Sequence, residues 1–137
     1  GLFPAEWEAV PAAMHDLRVR LEELSSGKSI PLEKTVLLGF SQGGAMAIAV
    51  GTQLKLAGII GCSAYPHPKW IAPKQCPPVL MAHGKNDEVV PIEASRKLFE
   101  CLKINQVDTN LIEFDGGHEI PERLISGMQK TLLKWFV

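Results

Sequence analysis

Apolar residues recur along this chain with two different periods. Trp7, Val10, Met14, Leu17, Leu21 and Leu24 fall at steps of three and four, which marks one face of a helix. Pro11 is tolerated only near a helix start, so the regular helix is predicted over residues 10–25, with Trp7 in a preceding turn. Its apolar stripe is expected to pack into the core, and Gly27 is a plausible C-cap. Beyond it, short apolar runs alternate with longer segments. Strands are predicted at 35–40, 57–62, 79–83 and 107–114, and helices at 42–53, 91–103 and 121–136; a proline-rich ordered loop fills 65–78. Runs such as Val36-Leu37-Leu38 lack polar alternation, which suits strands buried on both faces. The alternation implies an α/β fold: a mostly parallel sheet with helices on both faces, a three-layer sandwich. No internal repeat or low-complexity segment interrupts it.

Composition adds exclusions. At 137 residues the chain is read as a single domain, 1–137, large enough for one core. It is 46% hydrophobic and 21% charged with net charge −1, which gives no electrostatic case for nucleic acid or an anionic membrane as partner. No apolar run approaches the roughly 20 residues of a membrane span. The first eight residues lack both a signal-peptide pattern and a starting Met, so the chain is expected to be processed, tagged or cut. Cys62, Cys76 and Cys101 are odd in number and lack CxxC spacing, which argues for reduced thiols in a cytoplasmic protein and against a disulfide framework or zinc site. Cys62, inside an apolar run, is expected to be a small core residue.

The chemistry gathers where strands end. Gly39-Phe40-Ser41-Gln42-Gly43 reads as Gly-x-Ser-x-Gly between an apolar strand and a small-residue helix, the context of a nucleophile elbow. Both glycines are expected to be needed because a side chain at either would strike neighbouring backbone. Open α/β sheets place function at the carboxyl ends of their strands. Ser41 follows strand 35–40, Asp87 follows strand 79–83, and His118 follows strand 107–114. A serine needs a base to take its proton, and the base needs an anion to hold its tautomer. The order Ser, Asp, His is that of α/β-hydrolases.

Each residue has rivals. His15 is expected at the surface of the first helix, His67 to be structural, and His83 to support a turn before Gly84. His118 follows Gly116-Gly117 on a loop able to reach Ser41. Among the acids, Asp108 lies at the wrong end of its strand and Asp115 reads as a local turn residue. Glu88 is the nearest rival of Asp87. Trp70 is either ordinary packing or a pocket wall. HExxH, GxGxxG and Walker patterns are absent, so neither metal-dependent hydrolysis nor nucleotide binding has support, and no cofactor is expected.

The string Gly39-Phe40-Ser41-Gln42-Gly43-Gly44-Ala45-Met46-Ala47 resembles the phospholipase/carboxylesterase family, which includes the acyl-protein thioesterases. His83 through Pro91 resembles that family's segment with the acidic triad member, and Gly117-His118-Glu119-Ile120 its histidine segment. The resemblance implies Ser41, Asp87 and His118 as a catalytic triad. It also implies hydrolysis of carboxylic esters or S-acyl thioesters through an acyl-serine, without cofactor; a dienelactone hydrolase would carry Cys at the position of Ser41. The backbone N–H of Gln42 is expected to be one oxyanion donor. The family's strands before the elbow, and its His-Gly-x-Gly-Asp loop that supplies the second donor, have no counterpart here. The chain is therefore expected to be the C-terminal part of the fold, with strand 35–40 left as an exposed apolar edge. The expected substrate is a small acyl ester or S-acylated molecule, and exposed apolar surface is a candidate for homodimerisation. The competing expectation is a catalytically silent hydrolase-fold fragment or binding domain.

Overall fold

A computed structural model describes residues 10–27 and 30–136. Trp7 lies outside the described residues. The chain runs α1 (Val10–Gly27), a 3₁₀ turn at Leu32–Lys34, β1 (Val36–Phe40), α2 (Gln42–Gly51), β2 (Gly58–Cys62), β3 (Val79–Gly84), α3 (Ile92–Ile104), β4 (Thr109–Phe114), a 3₁₀ turn at Glu122–Leu124 and α4 (Ile125–Trp135). The four strands form one parallel sheet in the order β1-β2-β3-β4. All four predicted strands are present. The last helix differs: its first turn winds as 3₁₀ after Pro121, so regular α-helix begins at Ile125 rather than at 121.

Side chains alternate cleanly between the two faces. Leu37, Ile59, Val79, Met81 and Leu111 share a core with Ala47 and Ile48 of α2 and Leu98 and Leu102 of α3. Val36, Ile60, Leu80, Ala82 and Ile112 pack on the other face with Met128, Leu132 and Trp135 of α4. This is the expected three-layer sandwich. β2 and β3 are buried at every position, which explains their unbroken apolar runs. Cys62 is 1% exposed, as expected of a core residue, and burial pushes its thiol up to about 11. At Gly58 an added Cβ would fall on the Trp135 ring, so this glycine lets α4 seat directly on the sheet.

The first helix departs from expectation. Among the described residues, α1 packs mainly on α2. Leu21 is buried, but Leu24 is 42% exposed, so the predicted stripe is only partly core. On β1, Leu38 is 57% and Phe40 37% exposed, whereas Val36 is partly buried against the cluster that holds Met128. Gly58→Ala is expected to lower stability by about 1–3 kcal/mol through overpacking against Trp135. Thermal unfolding checks it; an unchanged midpoint would show that α4 has room to shift.

Candidate active site

At the end of β1 the chain reverses at Ser41, which has φ 58° and ψ −120°, an uncommon backbone state for a residue with a side chain. Two bonds hold the turn. Ser41 N–H donates to the Cys62 carbonyl at 2.8 Å, and the Ser41 carbonyl accepts from Ala45 N–H at 3.0 Å. A Cβ at Gly39 would strike the Gly43 carbonyl, as expected of an elbow. The expectation for Gly43 fails, since a Cβ there meets nothing within 4 Å. The tight position is Gly44, whose Cβ would lie 3.1 Å from the Ala64 Cβ and 3.1 Å from the Cys62 carbonyl oxygen. The helix turns Gly43 outward and Gly44 toward β2. Gln42 opens α2, so its N–H belongs to the first turn, which has no acceptor within the helix.

Asp87 sits in the short connection from β3 to α3. Its side chain has no exposed surface. Oδ1 accepts from the N–H groups of Val89 and Val90, both at 2.8 Å. Oδ2 lies 2.8 Å from His118 Nδ1. Burial alone would raise the carboxyl, but the bonds from Val90, His118 and Val89 outweigh it and hold Asp87 below the usual carboxylate range. Of its rivals, Glu88 is exposed, Asp115 is 90% exposed beside Lys85, and Asp108 precedes β4 at the opposite end of the sheet.

His118 must reach far. β4 and β1 are the two outer strands of the described sheet, three strand spacings or about 14 Å apart. The loop after β4 folds back across the sheet end to span part of this gap. Lys85 N–H bonds the Phe114 carbonyl at 2.9 Å and Asn86 N–H the Gly116 carbonyl at 3.0 Å. A Cβ at Gly84 would strike the Gly116 and Gly117 carbonyls, so Gly84 permits the close approach. The imidazole ends 4.7 Å, centroid to centroid, from the ring of Phe40, the residue before Ser41. No hydrogen bond joins Ser41 to His118 among the described residues. With Nδ1–H directed at Asp87, such an imidazole keeps Nε2 for taking a proton.

The sequence reading missed one residue of this cluster. His83 supports the loop, as expected, but from a fully buried place behind Asp87, its Nε2 3.4 Å from Oδ2. His15 is exposed, as expected. Trp70 donates its indole N–H to Thr52 Oγ1 at 3.0 Å and lines a hollow of about 520 Å³ with Ile71, Cys101 and Ile104, which none of Ser41, Asp87 or His118 borders. Among the described residues, no group of three or more His, Cys, Asp or Glu could hold a metal ion, and no helix is long and apolar enough to cross a membrane.

A family model described as Phospholipase/Carboxylesterase matches residues 8–136. Acyl-protein thioesterase 1 of Gibberella zeae is 36% identical over 115 residues, covering 75% of this chain and 48% of that protein. Acyl-protein thioesterase 1 homolog 2 of Dictyostelium discoideum is 41% identical over 124 residues, covering 76% and 55%. The chain spans about half the length of the curated relatives it matches. Among solved structures, esterase PE8 superposes with a TM-score of 0.81 at 29% identity, covering 98% of this chain and 67% of that one. The carboxylesterase of Bacillus cereus superposes with a TM-score of 0.83 at 17% identity over 98% of this chain and 66% of that one, a likeness of fold.

Because the Asp87 carboxyl is lowered in the folded state, it stabilises the fold above the ordinary aspartate range, and that contribution is lost as pH falls through the lowered value. Asp87→Asn is expected to cost about 1–3 kcal/mol at neutral pH and to flatten the acid limb of stability. Thermal unfolding followed from neutral to acid pH checks both effects; an acid limb unchanged in the variant would refute the assignment.

Proposed function

The chain belongs to the phospholipase/carboxylesterase family, and from that membership we propose that it hydrolyses carboxylic esters or acyl thioesters through an acyl-serine intermediate. The observation that carries the reading is the 2.8 Å bond between His118 Nδ1 and a buried Asp87 carboxylate, beside the strained turn at Ser41. In this mechanism the Asp87 carboxylate fixes the proton of His118 on Nδ1. Nε2 then takes the Ser41 proton as Oγ attacks the acyl carbon. The imidazolium is stabilised by Asp87 and passes its proton to the leaving alcohol or thiol. Water, activated by the same Nε2, releases the acid and restores Ser41. The Gln42 N–H, at the positive end of α2, donates to the oxyanion.

The thioester half of this proposal follows from the names of the two relatives, acyl-protein thioesterase 1 and acyl-protein thioesterase 1 homolog 2. No metal or cofactor enters the steps.

Labelling by a fluorophosphonate probe and turnover of p-nitrophenyl butyrate test the reading. Ser41→Ala is expected to abolish labelling and to lower kcat by more than about 10³-fold, and His118→Ala to do nearly the same. Equal labelling of wild type and Ser41→Ala would remove Ser41 as the nucleophile. Absence of turnover in the wild type would leave a silent hydrolase fold instead.

A further inference from the structure

His83 is a polar side chain at the end of the fully buried strand β3, with no exposed surface. Such a residue is stable only where its ring nitrogens find partners. Both do. Nε2 lies 2.7 Å from the Val90 carbonyl oxygen, and Nδ1 lies 2.7 Å from Ser95 Oγ. Ser95 Oγ is also 2.8 Å from the Ala64 carbonyl oxygen.

Counting protons fixes much of the arrangement. A carbonyl oxygen only accepts, so Nε2 carries a proton. The Ser95 hydroxyl has one proton and two neighbours, Nδ1 and the Ala64 oxygen. If His83 is neutral, Nδ1 is bare and competes with Ala64 for that proton. If His83 is charged, Nδ1–H donates to Ser95 and Ser95 donates to Ala64. Burial, the largest influence, pushes His83 below the ordinary histidine value, while the bond to Val90 and the charge of Asp87 pull it back up.

Val90 is the link to the site. Its carbonyl is held by His83 Nε2–H, and its N–H is held by Asp87 Oδ1 at 2.8 Å. The connection from β3 to α3 is thus wrapped round the imidazole, and both peptide groups of Val90 are fixed. Asp87 Oδ1 takes its place from that wrap, and Oδ2 from Oδ1. The ring also stands close behind the carboxylate, with Nε2 3.4 Å from Oδ2.

We propose that His83 is a positioning residue: an imidazole, protonated on Nε2, that holds the Val90 peptide so that Asp87 Oδ2 meets His118 Nδ1. It touches neither substrate nor Ser41. Its effect on rate rests on the hydrolase reading above, but its effect on the Asp87–His118 bond does not.

Three variants of the full chain, His83→Leu, His83→Gln and Ser41→Ala, test this beside the wild type. Glutamine places an amide N–H near the reach of Nε2 and keeps the bond to Val90; leucine fills the space without a donor. Proton and nitrogen NMR of the imidazoles should find wild-type His83 protonated on Nε2 at neutral pH. The low-field proton between His118 and Asp87 should be present in wild type and His83→Gln and lost in His83→Leu. With p-nitrophenyl butyrate, kcat should fall about 10- to 100-fold in His83→Leu with KM little changed, and largely recover in His83→Gln. A His83 proton on Nδ1 alone would overturn the proposal. So would a low-field proton and kcat retained in His83→Leu while only the melting temperature falls, or a His83→Gln protein as impaired as His83→Leu. If leucine prevents folding, the wild-type tautomer and the glutamine variant still decide. If wild type hydrolyses no ester, or Ser41→Ala hydrolyses it equally, the hydrolase reading fails, and the two NMR results still judge His83.

Discussion

A carboxylate with no exposed surface can stay ionised only if donors surround it, and Asp87 is such a carboxylate. Removing an ion from water costs several kcal/mol even after relaxation. Two backbone N–H groups and one imidazole supply the compensation. That requirement shapes the connection between β3 and α3, because Val89 and Val90 must both turn their N–H groups inward. It also commits the loop after β4, whose His118 supplies the remaining short contact. Gly84 lets the two loops press together where any side chain would hold them apart. The local backbone of both loops follows from one buried charge.

The sheet sets the distance those loops must cover. Parallel pairing brings every carboxyl end to one edge, but the strand order leaves β1 and β4 outermost among the described strands. Ser41 stays at its strand end, and His118 travels on a folded-back loop to reach Phe40. Asp87, one strand inward from β4, is the staging post that steadies this reach. Without it, the imidazole would lose its side-chain hydrogen bond, and only the backbone bonds of the Gly116-Gly117 loop would place it.

How much of this could be read from residues alone depended on whether the signal was local. The strands were legible because a doubly buried strand has to be apolar throughout, and β2 and β3 are. Ser41, Asp87 and His118 were legible as positions because each follows a strand, although their contacts were not. Leu24 misled because periodicity finds a face without saying what covers it. Gly43 misled because the elbow motif counts residues, whereas clearance depends on where the helix turns each one; the crowded glycine is its neighbour. The strand end before Gly84 marks His83 as a turn support, which it is, but its partners Val90 and Ser95 lie seven and twelve residues on, with no pattern linking them.

The strain at Ser41 fits the same economy. A non-glycine residue held in such a sparsely populated backbone state costs about 1–3 kcal/mol, and Ser63, at the end of neighbouring β2, is also at positive φ, 49°. The sheet ladder continues one residue past each strand: Ser41 N–H bonds Cys62, and Ser63 N–H bonds Ala82, both at 2.8 Å. One backbone bond contributes about 0.5–1.5 kcal/mol net, so the ladder offsets only part of the strain at either residue. The remainder comes from α2, which buries Ala45, Ala47, Ile48, Ala49 and Val50 immediately beyond the turn. At about 25 cal/mol per Å² of apolar surface, even a few of these side chains exceed the residual strain. Ser41 is therefore held by a bond behind it and a buried helix ahead of it, so its backbone is fixed on both sides of the hydroxyl.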